Sequence, residues 1–250
     1  MTKAVGWTVK LSLALIAASV ATYALHYLIF RDLRHIFLYL VGDIAFLFIN
    51  VLVVTLVIER LLAQREKRSL MKKMNMVIGA FFSDVGLELL KSYPDFAANL
   101  DELGGELRFS GNWHKGDFLK ALDSVKKFPF KIKVSPAALR DLRGRLCQHR
   151  SFLLRLLENP NLLEHDRFTD LLWAVFHLVD ELELREGDLE DLPETDYLHL
   201  AGDIKRAYSH LSGEWLAYAM HLKESYPFLF SLVVRINPFA PSPSPIVREK

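Results

Sequence analysis

The chain has 250 residues, is 51% hydrophobic, and carries a formal net charge of +1 and one cysteine. That length fits a membrane segment plus one domain of ordinary size. The near-neutral charge excludes a global electrostatic attraction to nucleic acid, and a lone thiol excludes an internal disulfide framework and suits a reducing compartment. The apolar residues are unevenly spread: charge is sparse before Glu59, and the remainder reads as an ordinary soluble helical protein.

Leu11 to Phe30 contains no charged residue, and Ile36 to Ile58 contains only Asp43. At ~1.5 Å rise per residue, twenty residues cover the ~30 Å hydrocarbon core of a bilayer, so the expectation is two spanning helices. Between them, Arg31-Asp32-Leu33-Arg34-His35 is short enough only for a tight hairpin. A competing reading treats Lys3, Lys10 and the run ending in Ser19-Val20-Ala21 as a cleavable secretory signal. The apolar run continues through Tyr23, Leu25 and Phe30, which favours the span.

Arg60, Arg65, Lys67, Arg68, Lys72 and Lys73 follow the second span and outweigh Arg31 and Arg34 in the connection. By the positive-inside tendency, both termini are cytoplasmic and the protein sits in the cell (inner) membrane as a multi-pass chain. The lipid bilayer is the first expected partner. The same six cations are candidate contacts for anionic headgroups, although a topology signal is the plainer role.

No proline interrupts the chain from Ile36 to Tyr93, so the second span is expected to continue as one helix that ends at Pro94. Met71, Met74, Ile78, Phe81 and Val85 have the spacing of a coiled-coil or bundle seam. Gly79 and Gly86 share a face, either for close helix contact or merely at a cost of ~1 kcal/mol each. Gly104-Gly105 reads as a breaker, after which Ser110 or Asn112 is expected to cap a helix from about Trp113 to Phe128. Lys126 to Val134 interleaves basic and apolar residues around Pro129 and reads as an anchored linker more than as a membrane or nucleic-acid contact.

Ser135-Pro136 should start a helix reaching Glu158, and a further helix should run from about Asp166 to Arg185. The acidic stretch Glu186 to Asp196 reads as a solvated loop, or as a seat for the basic helix of the 140s. A last long helix from about Glu194 to Tyr226 precedes the apolar Tyr226 to Val234, which either closes the bundle or lies on the bilayer. The Pro241–Pro245 tail is expected to be disordered. These readings give an all-α fold: a two-helix transmembrane hairpin (1–62), a cytoplasmic α-helical bundle (63–240) and a tail (241–250).

No P-loop, dinucleotide-binding glycine pattern, nucleophile elbow, HExxH or paired CxxC is present. Cys147 has basic neighbours, Arg143, Arg145, His149 and Arg150, that would depress its pKa, yet packing is the preferred role. His177 with Asp180 and Glu181, Asp196 with His199 and Asp203, and His210 with Glu214 lack the Glu-x-x-His pairs of di-metal bundles. They read as helix-surface pairs, so neither metal nor cofactor is expected. In the hairpin, Ser12, Ser19 and His26 share one face, as do Asp43 and Asn50. With the turn centred near Arg34, His26 would meet Asp43 and Ser19 would meet Asn50. Such a polar seam glues helices together or, in an oligomer, lines an ion or proton path; glue is preferred.

Val57-Ile58-Glu59-Arg60-Leu61-Leu62, Asn75 to Gly79, Phe81-Phe82-Ser83, Leu171 to His177 and Arg235-Ile236-Asn237-Pro238-Phe239 resemble a family of uncharacterised prokaryotic two-span membrane proteins. That resemblance implies a C-terminal helical domain and no catalytic residues. The expected function is a membrane-anchored interaction or signalling module without catalytic activity, self-associating or bound to a protein partner. An ion channel subunit is the alternative, and a metal-dependent enzyme a more distant one.

Overall fold

A computed structural model describes residues 2–160, 162, 165–185 and 187–247, with side chains from residue 9 onward. Every named element among them is helical, as expected. The chain divides between Glu66 and Lys67 into two units.

In the first unit, α1 (Thr2–Phe30) and the start of α2 (Leu33–Phe81) are long and apolar enough to cross a membrane. Their connection is shorter than expected, only Arg31 and Asp32. Arg31 takes a left-handed conformation (φ 48°) and donates its N–H to Tyr27 O at 2.9 Å, closing α1. Asp32 then caps α2, its carboxylate accepting the His35 N–H at 3.1 Å.

In the second unit, the helical path of α2 passes through one π turn (Phe82–Gly86) into α3 (Leu87–Ser92). It finishes in a 3-10 turn (Tyr93–Asp95) that contains Pro94, so the expected stop holds. Met74, Ile78, Phe81 and Val85 are buried and Met71 partly so, which makes the seam a bundle seam. The two glycines answer to close packing. A Cβ on Gly79 would lie 2.8 Å from Tyr218 Oη, and one on Gly86 would lie 2.5 Å from Phe82 Cδ1 and 2.9 Å from Phe81 Cε1.

Two local expectations fail for physical reasons. Gly104 and Gly105 lie inside α4 (Leu100–Leu107), because burial of Leu103 and Leu107 outweighs glycine's weak helix propensity. The following helix, α5 (Lys115–Lys127), is not capped by Ser110 or Asn112. Asp117 accepts the His114 N–H at 2.7 Å and moves the start to His114.

The linker to α6 is anchored as expected. Phe130 is buried, Ala97 and Ile132 form an antiparallel bridge, and Asn99 accepts the Lys131 N–H while donating to Pro129 O. α6 (Pro136–Leu157) starts with Ser135 Oγ accepting the Ala138 N–H. α7 (Asp166–Glu183) starts with His165 Nδ1 accepting from Phe168, and α8 (Glu194–Ser225) follows the acidic loop. That loop does seat the basic helix: Arg140 reaches Asp188 at 3.0 Å and Glu190 at 2.7 Å.

α8 packs against α3, α5, α7 and α9 (Pro227–Arg235) and carries the centre of the core. Trp215 is fully buried, touches the rings of Phe82 and Phe109, and donates its indole N–H to Asn237 Oδ1 at 3.2 Å. Asn237, also fully buried, donates to Leu107 O at 2.7 Å, tying the end of α9 to the end of α4. α9 closes the bundle through Phe230 and Val233 and leaves Phe228 exposed. The tail is not free of contacts: Ser244 N–H reaches Arg235 O at 2.9 Å, and the Arg235 guanidinium donates to Pro245 O.

The close approach at Gly86 is testable. Both neighbouring phenylalanine rings are buried in the aromatic core and cannot swing into solvent. Gly86→Ala should therefore lose about 1–3 kcal/mol to overpacking, more than the helix propensity it gains. Urea unfolding of the two proteins side by side checks this; an alanine variant as stable as the parent would contradict it.

Candidate functional site

α7 and α8 run antiparallel, as their cross-helix contacts show: Arg185 meets Asp196, Glu181 meets His199, His177 meets Asp203, and His165 meets Glu214. The register follows from the apolar face of α7, where Phe168, Leu171, Leu172, Val175 and Val179 are buried. Two pairs spaced i,i+4 are thereby brought together at the margin of the helix contact, His177/Glu181 from α7 and His199/Asp203 from α8.

The four side chains form one cluster whose donor atoms all lie within 4.8 Å of one another. His177 Nε2 is 3.5 Å from Asp203 Oδ2 and 3.7 Å from Glu181 Oε1. His199 Nε2 is 3.3 Å from Asp203 Oδ2 and 3.4 Å from Glu181 Oε2. Arginines brace both carboxylates. Arg206 donates to Asp203 Oδ1 at 2.9 Å, and Arg185 donates to Glu181 Oε2 at 2.7 Å while gripping Asp196 through two further bonds of 2.7 Å. The Arg185 hydrogen bonds hold the Glu181 and Asp196 carboxyls below the usual carboxylate range. Asp203 is only 3% exposed, and its Oδ2 has no hydrogen-bond partner.

A surface depression lined by Asp170, Trp173, His177, Arg206 and His210 opens beside this cluster. Asp170 and His210 also line a second depression that reaches Glu214. Glu214 is 3% exposed, with Arg167 Nε at 3.6 Å and His165 Nε2 at 3.8 Å. Burial pushes its carboxyl above the ordinary range, and Arg167, then His165, offset this only in part.

Other residues singled out in the sequence are placed differently. Asp180 pairs with Arg150 instead of His177, and Glu214 meets His165 and Arg167 instead of His210. Burial first, then Glu183, raises the Cys147 thiol pKa against the opposing pull of Arg143 and Arg150, which leaves the thiol protonated and poorly reactive.

In the first unit, Ser12, Ser19 and His26 lie on α1 and Asp43 and Asn50 on α2; all are exposed except the partly buried His26. The His26 ring sits 4.7 Å from that of Phe30 and stacks at 5.9 Å on His35. Among the described residues no hydrogen bond joins His26 to Asp43 or Ser19 to Asn50, and His26 Nε2 has no partner. With the turn at Arg31–Asp32, the residue level with His26 moves back from Asp43 towards His35. Arg60, Arg65, Lys67, Arg68, Lys72 and Lys73 are all exposed on α2, and no ion pair is described for any of them.

Comparison with known proteins matches both units. The profile of the C-terminal helical domain of the uncharacterized protein MJ1433 covers residues 70–235, and that of its N-terminal helical domain covers residues 2–62. The protein MJ1433 of Methanocaldococcus jannaschii is 42% identical over 229 residues, 92% of either chain. The chain belongs to the MJ1433 family. No solved structure matches it. The cluster lies wholly within the part that matches the MJ1433 C-terminal helical domain.

The sequence shows every member of the cluster, but only as separate helix-surface pairs, since none of them forms a Glu-x-x-His motif. The available signal was the repeated i,i+4 spacing, His177/Glu181 and His199/Asp203, on two helices joined by a short loop. Antiparallel packing of such helices superimposes the two pairs.

The raised Glu214 pKa predicts a pH effect on stability. The folded state holds this proton to higher pH than the unfolded chain does. Between the two pKa values the unfolded state has already released its proton, so stability falls as pH rises from the ordinary carboxylate range. Glu214→Gln should therefore raise the thermal midpoint relative to the parent, and by more at about pH 7 than at about pH 4. Melting curves across that range check it; a difference that shrinks towards neutral pH would contradict the assignment.

Proposed function

We propose that this member of the MJ1433 family is a membrane-anchored helical interaction or signalling module without catalytic activity, able to self-associate. Residues 11–30 and 36–58 cross the bilayer, Arg31 to His35 face the outside, and the C-terminal helical domain lies on the cytoplasmic side.

The observation that carries this reading is the exposure of the first unit. From Leu11 to Ile58 every side chain is exposed save the partly buried His26, Ile36 and Leu40. A buried Leu, Ile, Val or Phe is worth ~1.5–3 kcal/mol, whereas a whole domain is stable by only ~5–15 kcal/mol. Holding two such helices bare in water would forfeit more than folding gains, and a hydrocarbon solvent removes the conflict. The unpaired cations from Arg60 to Lys73 add an attraction of about 1 kcal/mol each to an anionic leaflet, which fits both their topology role and a headgroup contact.

The protein should fractionate with membranes, resist extraction by salt and by alkaline carbonate, and dissolve in detergent. Single cysteines placed at Asp32 and at Ser242, with Cys147→Ala as background, then report sidedness. An impermeant maleimide should label the first in intact cells and the second only after lysis. Recovery in the soluble fraction defeats the anchor, and labelling of Ser242→Cys in intact cells defeats the orientation. Crosslinking in mild detergent that traps neither a second copy nor any partner would remove the interaction role.

A further inference from the structure

The cluster between α7 and α8 has the donor set, spacing and buried charge of a metal site. We propose that His177, Glu181, His199 and Asp203 bind one zinc ion. This inference goes beyond membrane anchoring and does not rest on it.

The spacing separates an ion site from a set of salt bridges. A charge-assisted N–H···O bond closes to ~2.7–2.9 Å, as the arginine contacts of Glu181 and Asp203 do. The histidine–carboxylate distances are instead 3.3 and 3.5 Å to Asp203 Oδ2, and 3.4 Å to Glu181 Oε2 and 3.7 Å to Glu181 Oε1. A tetrahedral zinc with bonds of ~2.0–2.2 Å holds its donors roughly 3.3–3.6 Å apart. Neither imidazole therefore bonds well to either carboxylate, yet three of these separations match those of ligands around one zinc ion, and all four ligand atoms gather within 4.8 Å of one another.

Asp203 supplies a second, independent argument. Its carboxylate is 97% withdrawn from solvent, since the side chain is 3% exposed, and Oδ2 receives no hydrogen bond. A buried charged acceptor left unsatisfied is costly, by more than the ~1–3 kcal/mol of a neutral group. That oxygen faces the Nε2 atoms of both histidines, so a cation between them resolves the deficit. Arg206 on Oδ1 and Arg185 on Glu181 fix how the carboxylates are presented, the orienting role that outer partners play around metal ligands.

The donor types select the metal. Two imidazole nitrogens and two carboxylate oxygens suit a borderline ion such as Zn2+; Ca2+ and Mg2+ call for oxygen alone, and Cu+ for sulfur. Four protein ligands on two helices make a closed, structural site without an open catalytic position. His177 and His199 are about half exposed, so the ion can enter from solvent and the ligands can be changed without opening the core. Bound zinc would clamp α7 to α8 next to Trp173 and the depression beside it.

The test uses the untagged full-length chain in detergent, stripped with a chelator. Zinc titrated in competition with a chromogenic chelator should show one tight site per chain. Co2+ should give the intense visible bands of a tetrahedral complex, bleached by stoichiometric Zn2+. His177→Gln and His199→Gln should each weaken zinc by more than the ~10–100-fold that follows loss of an outer partner, and His210→Gln should leave it unchanged. Far-ultraviolet circular dichroism of the metal-free proteins checks that the variants fold. The Co2+ spectrum of the unmodified chain needs no variant at all. The proposal is overturned if the parent chain takes up no stoichiometric zinc, if Co2+ gives only the pale spectrum of the hydrated ion, or if the folded His177→Gln/His199→Gln double variant binds as the parent does.

Discussion

The antiparallel contact of α7 with α8 is the constraint on which the second unit depends. Its register aligns a ladder of charged pairs, from Arg185–Asp196 beside the acidic loop to His165–Glu214 near the other end of α7. The charges do not set that register. Taking these largely buried charges out of water offsets much of what their pairing gains, whereas each fully buried Leu, Val or Phe of α7 contributes ~1.5–3 kcal/mol. Phe168, Leu171, Leu172, Val175 and Val179 fix which face of α7 meets α8. Once that face is buried, His177 and Glu181 stand at its margin opposite His199 and Asp203. The chemistry is a by-product of apolar packing with polar residues written into the rim.

Helix ends with a chemical mark were legible in the sequence. Ser135-Pro136 starts α6, Asn159-Pro160 follows its end, and Pro94 sits in the last turn of the long helical path. Ends set by tertiary packing were not. Gly104-Gly105 looks like a break until the burial of Leu103 and Leu107 is known, and the cap at His114 depends on Asp117 three residues later. The same limit applies to the cluster. Spacing within one helix reveals which residues share a face, but which two faces meet is decided by long-range packing. The hairpin shows how sensitive that is: a turn of two residues instead of five shifts every cross-helix partner, and His26 comes to rest on His35.

The two units bury their polar groups on different terms. In the second unit part of the core accepts polar atoms by partnering them fully. Asn237, with no exposed surface, accepts from Trp215 and donates to Leu107, and Ser92 shares a hydrogen bond with Tyr208 beneath the stacked Tyr93 ring. Such networks add specificity because each member fits only one arrangement of the helices around it. Removing either partner of the Trp215–Asn237 pair would strand a buried group, which makes this contact a lock between α8 and the segments that end α4 and α9.

Set against those satisfied networks, the two buried carboxylates on α8 stand out. Asp203 keeps one oxygen without a hydrogen bond, and Glu214 keeps one likewise and has a raised pKa. Replacing either with an amide or an aliphatic residue would suit folding better, yet both stand on the face where α8 meets α7, and the depressions beside them share Asp170 and His210. The two under-bonded carboxylates therefore lie on one helix pair, beside neighbouring depressions. The neutral Tyr93 and Ser212 hydroxyls also lack a hydrogen bond, but Asp203 leaves a charged atom unsatisfied, at a larger cost. Its Oδ2 lies between two imidazoles at 3.3 and 3.5 Å, the place that the proposed zinc ion would fill.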